Sequence, residues 1–150
     1  MKGFMKPICI LSILSFLCLP AIGQKPEVDV CSHSDYASQV HCLTNIHRVE
    51  NGIRELRHSP KAQSVAKKRA DFLCRAGTFS HDGWKDAIDF NYRKAGENLA
   101  QNFDTPQGAV KGLLLSKSHR AAIEGSYSSI GVATEYCGGR NITVQIFTQG

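Results

Sequence analysis

The chain has 150 residues, of which 42% are hydrophobic and 21% charged, and its formal net charge is +5. This is the composition of a globular protein, and it excludes a disordered, collagen-like or multi-span membrane chain. The net charge is small and lysine and arginine form no block, so we do not expect nucleic-acid binding.

Residues 1–23 have the parts of a secretory signal peptide. Two lysines precede the apolar run of residues 8–19, and small residues follow it at a cleavage site before Gln24. The run is shorter than the ~20 residues that a membrane-spanning helix needs. We therefore expect cleavage, a polar leader over residues 24–34 and a single domain over residues 35–150. The destination is extracellular, or the periplasm or cell envelope if the source is a bacterium.

The cysteines divide with the signal peptide. Cleavage would leave 127 residues with a net charge of +3 and four of the six cysteines. An even number of cysteines in an oxidising compartment predicts two disulfide bonds. We expect a bond between Cys42 and Cys137, because a helix lying over the sheet could bring them together. That pairing leaves Cys31 for Cys74.

The first half of the mature chain predicts two helices. Apolar residues recur at steps of three and four from residue 40 to residue 56, and we expect Gly52 to weaken this first helix without ending it. Ser59 and Pro60 are start signals for a second, alanine-rich helix, which stops before Gly77. Residues 78–95 follow no period and predict a long ordered loop.

The second half predicts a short strand, short helices and a hairpin. Residues 96–101 could form an extended strand, and Thr105 with Pro106 repeats the helix-start signal. Two alternating segments flank Gly138-Gly139, which is typical of a β-hairpin. The first of these strands has one face of small residues, which suits a sheet covered by helices on both sides. The fold class is therefore α/β.

Three residues have the chemistry of a binding site. His81 and His119 stand at junctions between loops and regular elements, and Glu97 is an acid inside a weakly polar strand. An inward-facing carboxylate needs a partner. Two imidazoles and a carboxylate are also a ligand set that catalytic zinc tolerates. Because separations of 16 and 22 residues match no local zinc motif, a hydrogen-bonded structural network is the alternative.

Other chemistries have weaker support in the sequence. Ser80, His81 and Asp82 are contiguous, and neighbours in sequence cannot generally orient as a catalytic triad. The Gly-x-Ser-x-Gly motif of serine hydrolases does not occur, and paired cysteines would leave no catalytic thiol. We predict no catalytic residues on these grounds. Asn141 begins the sequence Asn-Ile-Thr beside the hairpin turn, so we expect it to be accessible and, in a eukaryote, glycosylated.

A series of short motifs follows in order along the chain: Asn45-Ile46-His47-Arg48, Ser59-Pro60, Ser80-His81-Asp82-Gly83, Gly96-Glu97-Asn98-Leu99-Ala100, Ser116-Lys117-Ser118-His119-Arg120, Ile130-Gly131-Val132-Ala133 and Val144-Gln145-Ile146-Phe147. This order resembles the CAP superfamily, which contains cysteine-rich secretory proteins, antigen 5 and plant pathogenesis-related proteins. The resemblance covers about residues 40–149. It is greatest to the compact microbial branch, in which Ser-x-x-His-Arg precedes the sheet.

The resemblance implies an α-β-α sandwich with an open cleft. In the family, two histidines and two glutamates line that cleft and can hold a divalent metal. His81, Glu97 and His119 match the first histidine, the first glutamate and the second histidine. The segment Leu113-Leu114-Leu115-Ser116 stands where the second glutamate is expected and contains no acid. The cleft therefore has three of the four groups; it requires no cofactor, although Zn²⁺ or another divalent metal could bind.

The resemblance also implies the class of function. The family includes proteins that bind sterols or fatty acids and proteins that act on other proteins. We expect a secreted, monomeric, non-enzymatic binding module, whose ligand is a divalent metal, a small lipid or sterol, or an extracellular protein. The alternatives are a zinc-assisted extracellular hydrolase, with Glu97 as ligand or general base, and a purely structural triad in a secreted defence or virulence protein.

Overall fold

The structure is a computed structural model that describes residues 31–32 and 35–150. The expected signal peptide and nearly all of the expected polar leader lie outside these residues. The described part of the chain forms an α-β-α sandwich, which confirms the predicted α/β class. Its elements are, in chain order, α1 (Tyr36–Glu50), β1 (Arg57–His58), α2 (Pro60–Ala76), β2 (Lys94–Gln101), α3 (Pro106–Leu115), α4 (Lys117–Ile123), β3 (Ser129–Cys137) and β4 (Arg140–Gln149).

The sheet has the strand order β1-β3-β4-β2. The strands β3 and β4 form the predicted antiparallel hairpin, whose turn residues Gly138 and Gly139 have φ angles of 54° and 75°. The strand β2 is antiparallel to β4, and the two-residue β1 is parallel to β3. This arrangement makes β2 an edge strand, which bears on the position of the site.

Two helices begin where the sequence predicts. The Ser59 hydroxyl accepts a hydrogen bond from the N–H of Ala62 at 3.2 Å, and the Thr105 hydroxyl accepts one from the N–H of Gly108 at 3.1 Å. Each bond satisfies a backbone donor that has no partner within the helix. The second helix also ends as predicted, at Gly77, whose φ is 66°.

The first helix is shorter than predicted. It ends at Glu50, and Gly52 lies in the turn that follows with a φ of 70°. Leu56 is nevertheless 2% exposed, because the segment after the turn returns to the core and buries its side chain. The helical spacing of Leu56 is therefore coincidental, and the expectation that the helix continues through Gly52 is wrong.

The helices cover both faces of the sheet. The helix α2 packs on one face, and α1, α3 and α4 pack on the other. The small face of β3 permits this packing: a Cβ atom at Gly131 would overlap the backbone of Ala62 and Gln63. The predicted contrast between the two faces of β3 is thus confirmed. No helix within the described ranges is long and apolar enough to cross a membrane.

The two disulfide bonds join other pairs than predicted. Cys31 is bonded to Cys42 and Cys74 to Cys137, with Cα–Cα distances of 5.7 Å in both. The end of α2, not α1, lies over the hairpin end of the sheet, so Cys74 and Cys137 pack against the same apolar cluster. Cys31 lies just before α1 and reaches Cys42 on that helix. The predicted pairs Cys42–Cys137 and Cys31–Cys74 are wrong.

The expectation that Asn141 is accessible is also wrong. Asn141 is 7% exposed. Its Oδ1 accepts a hydrogen bond from the N–H of Phe103 at 3.0 Å, and its Nδ2 donates to the carbonyl oxygen of the same residue. The side chain therefore holds the segment after β2 against the hairpin, and the nitrogen that would carry a glycan is buried in this contact.

Candidate functional site

The candidate site lies on the edge strand β2. Successive side chains of a strand point to opposite faces of the sheet. Glu97 points towards α2, where it contacts Arg69, and Asn98 points towards the other layer, where it contacts the α4 residue His119. His81, from the loop after α2, approaches the same strand from the side of Glu97.

A buried ion pair forms the base of the site. The Nε of Arg69 donates to Oε2 of Glu97 at 3.0 Å, and the two side chains are 5% and 1% exposed. The Nδ1 of His81 lies 2.9 Å from the other carboxylate oxygen, Oε1, and the His81 side chain is 51% exposed. The charge of Glu97 is therefore neutralised inside the protein, while its imidazole partner extends to the surface.

The same arginine holds the backbone on both sides of His81. Its Nη2 donates to the carbonyl oxygen of Ser80 and its Nη1 to that of Asp82, each at 3.1 Å. A guanidinium presents several donors in a rigid plane, so it can bind a carboxylate and two carbonyls together. His81 is thus fixed by its side chain, through Glu97, and by its flanking peptide groups, through Arg69.

The second histidine lies close to the first. The ring centroids of His81 and His119 are 6.3 Å apart, and their planes are inclined by 50°. Burial lowers the pKa of His119, and the nearby charge of His81 lowers it further. Both effects disfavour the imidazolium form, so the His119 ring is uncharged at neutral pH.

A buried polar chain holds the segment that carries His119. The Nδ2 of Asn98 donates to the carbonyl oxygen of His119 and to Oε1 of Gln145, each at 3.1 Å. The Nε2 of Gln145 donates to Thr44 Oγ1 at 2.9 Å, and the Thr44 hydroxyl donates to the carbonyl oxygen of Val40 at 2.7 Å. These hydrogen bonds connect α1, the sheet and α4.

The three predicted residues come together, but their arrangement does not fit a three-ligand zinc centre. Both carboxylate oxygens of Glu97 accept hydrogen bonds, and a guanidinium lies against the group that would bind the cation. Within the part of the chain that the structure describes, no three or more His, Cys, Asp or Glu side chains are placed to hold a metal ion. The metal role of His81, Glu97 and His119 stays a prediction.

Arg69 is not among the predicted site residues, although its position in the sequence contains a signal. Arg69 follows Val65 and Ala66 by four and three residues and precedes Leu73 by four, so it lies on the buried face of α2. A lone cation on an apolar helix face and a lone acid in an apolar strand indicate a buried ion pair. The hydroxyl of Ser80 donates to Asp82 Oδ2 at 3.1 Å.

Comparisons with known proteins agree with the fold. The model of the CAP family, described as the cysteine-rich secretory protein family, matches residues 42–148. An uncharacterized membrane protein of Bacillus subtilis, YlbC, is 31% identical over 106 residues, which are 65% of this chain and 31% of that protein. The chain thus spans about a third of the length of this curated relative.

Solved structures give the same result. An extracellular protein from Bacillus anthracis that contains an SCP domain superposes with a TM-score of 0.70 at 24% identity, covering 77% of this chain and 40% of that one. An outer surface protein of Borrelia burgdorferi superposes with a TM-score of 0.67 at 21% identity, covering 73% of this chain and 89% of that one. At these identities the likeness concerns the fold.

Proposed function

The chain belongs to the CAP superfamily, and we propose that it is an extracellular, non-enzymatic binding module whose ligand enters a cleft between His81 and His119. One observation carries the proposal: a half-exposed imidazole is held by a buried ion pair, opposite a second imidazole 6.3 Å away. Rigid placement of an exposed polar group is typical of a recognition site, because little freedom is lost on binding.

The surrounding groups support binding over catalysis. The hydroxyl of Ser80 is bonded to Asp82, and Cys31, Cys42, Cys74 and Cys137 are paired in disulfides. The carboxylate of Glu97 is hydrogen-bonded to Arg69 and His81. It is therefore poorly placed to accept a proton from a substrate or water as a general base. An uncharged imidazole accepts a hydrogen bond or binds a cation, and His119 offers such a ring beside His81.

An extracellular location agrees with the disulfides. Disulfide bonds persist in oxidising compartments such as the extracellular space and the periplasm. We propose that residues 1–23 direct the chain there and are then removed. N-terminal sequencing of the protein recovered from culture medium or periplasm should begin at Gln24, and recovery of the intact N-terminus would contradict the cleavage.

Calorimetric titration with Zn²⁺ tests the metal-binding form of this function. If the two imidazoles bind the cation, the heat should disappear in a His81→Ala/His119→Ala variant. The variant His47→Ala is the matched control, since His47 is paired with Glu124 at 2.9 Å outside the cleft. Heat that persists in the double variant would contradict binding at the cleft.

Activity assays test the enzymatic alternative. A chelator-sensitive hydrolysis of peptides or esters that is lost in Glu97→Gln would contradict a non-enzymatic module and support the zinc-assisted hydrolase. We expect no turnover above that of the double histidine variant. If His81→Ala lowers the melting temperature and changes no binding, the triad has a structural role only.

A second candidate function is lipid binding, and an apolar groove favours it. The groove lies between α1 and α3 and has a volume of about 310 Å³, at the lower end of the usual range for ligand pockets. It is lined by apolar side chains, two basic residues, one acid and two further polar residues: Leu43, Ile46, Val110, Leu114, Leu115, Lys111, Arg120, Glu50, His47 and Gln107. An acyl chain would match the apolar side chains, and an anionic head group would match Lys111 and Arg120, which outnumber the acid Glu50.

Binding of a fluorescent fatty acid tests the second candidate. Leu115 is 75% exposed, so Leu115→Asp should preserve the fold and weaken the binding by placing an acid at the groove. Phe72→Asp is the matched control, because Phe72 is 55% exposed on α2, across the sheet. Equal binding by both variants would contradict lipid uptake in this groove.

A further inference from the structure

We propose that Glu97 is the positioning residue of the cleft: held by Arg69, it keeps His81 in the tautomer that carries its proton on Nδ1, so that Nε2 faces the ligand unprotonated. The inference rests on the proposed function and deepens it, because it names the atom that the cleft offers. It also assigns Glu97 a role that does not require direct contact with a ligand.

The carboxylate determines the tautomer because it can only accept. Glu97 Oε2 accepts from Nε of Arg69 at 3.0 Å, and Nη2 of Arg69 lies 3.5 Å from Oε1. An ionised carboxylate has no proton to donate. The contact of 2.9 Å between Oε1 and Nδ1 of His81 therefore requires the proton on Nδ1. In a neutral imidazole the other nitrogen, Nε2, is then an acceptor.

The contact with Arg69 also determines the orientation of the side-chain amide if glutamine replaces Glu97. Glutamine has the shape of glutamate but one donor and one acceptor end. Arg69 can only donate, and its contact with Oε2 at 3.0 Å is shorter than its contact with Oε1 at 3.5 Å. It should therefore take the amide oxygen at the place of Oε2 and leave the amide NH₂ facing His81. The NH₂ group would then donate to Nδ1, and the His81 proton would move to Nε2. The substitution Glu97→Gln should thus reverse the tautomer with little change in shape.

Nitrogen NMR reads the tautomer directly. The full chain is expressed through an oxidising secretory compartment with ¹⁵N-labelled histidine, and two-bond ¹H–¹⁵N correlation spectra are recorded at mildly alkaline pH without ligand. Signals are assigned with His81→Ala. We expect the Nδ1–H pattern for His81 in the wild type and the Nε2–H pattern in Glu97→Gln.

The matched control is Glu124→Gln. Glu124 also contacts a histidine, His47, at 2.9 Å, and it lies outside the cleft. This variant should leave the His81 pattern unchanged. A Nδ1–H pattern retained in Glu97→Gln, or a His81 pattern altered by Glu124→Gln, would overturn the proposal.

The wild-type spectrum tests the proposed tautomer of His81 even if Glu97→Gln does not fold. A proton on Nε2 of His81 in the folded wild-type protein would overturn the proposal without any substitution. Because every spectrum is recorded without ligand, the tautomer can be confirmed although ligand binding fails, and the two proposals are tested separately.

Discussion

Glu97 and Asn98 are consecutive residues of β2, and each fixes one of the two histidine-bearing segments. Glu97 contacts the imidazole of His81 on one face of the sheet. Asn98 donates to the carbonyl oxygen of His119 on the other face. Because the two residues share a peptide bond, the distance between the two segments depends on the geometry of one edge strand. The edge strand β2 therefore positions the two histidine-bearing segments relative to each other.

Asn98 should be important for stability as well as for the cleft. Replacement by alanine removes its bond to Gln145 and leaves a buried amide oxygen without that donor. We expect Asn98→Ala to lower the free energy of unfolding by about 1–3 kcal/mol, as measured by urea denaturation. A double-mutant cycle with Gln145→Ala should give a coupling energy of roughly 0.5 kcal/mol or more. Strictly additive effects would show that the two amides do not interact.

The contribution of His119 to the stability of the protein should decrease when the pH falls below about 6.5. The pKa of His119 is lowered from 6.5 in the folded chain, mainly by burial and further by His81. Below pH 6.5 the unfolded chain therefore binds more protons at this residue than the folded chain, and protonation favours unfolding. The loss ends once the pH falls below the folded pKa.

Denaturation at a series of pH values in wild type and His119→Asn checks this prediction. The variant should lose the part of the pH dependence that His119 contributes. In His81→Ala, NMR titration should show that the pKa of His119 rises only part of the way back to 6.5, because burial is the larger cause of its lowering. Identical pH profiles for wild type and His119→Asn would refute the assignment.

Gly131 should not tolerate a side chain. A Cβ atom there would overlap the backbone of Ala62 and Gln63 in α2. We expect Gly131→Ala to destabilise the fold by roughly 3 kcal/mol. Gly138→Ala is the control: its φ is 54° and no atom lies within 4 Å of a Cβ there, so only backbone strain of about 1 kcal/mol arises. Equal losses in chemical denaturation would argue against close packing of α2.

The two disulfides should differ in their contribution to stability. The Cys74–Cys137 bond closes a loop with a sequence separation of 63, and the Cys31–Cys42 bond one of 11. Loop-closure entropy predicts losses of about 4 and about 3 kcal/mol when each pair is replaced by alanine. Guanidinium denaturation of the two double variants measures which of them loses more free energy of unfolding. A larger loss for Cys31 and Cys42 would indicate that native contacts outweigh chain entropy.

Local signals in the sequence predicted the elements well. Ser59 and Thr105 cap their helices as expected, and the glycine pair forms the hairpin turn. These features depend on contacts between residues close in sequence, so the sequence contains the information needed. The extent of α1 was predicted wrongly, because Leu56 has the spacing of a helix while tertiary packing explains its burial.

The cysteine pairing could not be read from spacing. Three connectivities are compatible with four cysteines, and the choice depends on which helix covers the hairpin end of the sheet. That helix is α2, and Cys74 is therefore close to Cys137. Asn141 was likewise misjudged, because its partner Phe103 is distant in sequence.

The sequence was sufficient to indicate the family and the class of fold, since periodicity, caps and motif order are local properties. It also singled out His81, Glu97 and His119, which the fold brings close together. The roles of those residues depend on long-range contacts. Arg69 meets Glu97 across 28 residues, and Gln145 meets Thr44 across 101. A buried charge or amide is stable only beside its partner. In the folded chain the Glu97 carboxylate is therefore buried against Arg69 and His81 and is not exposed.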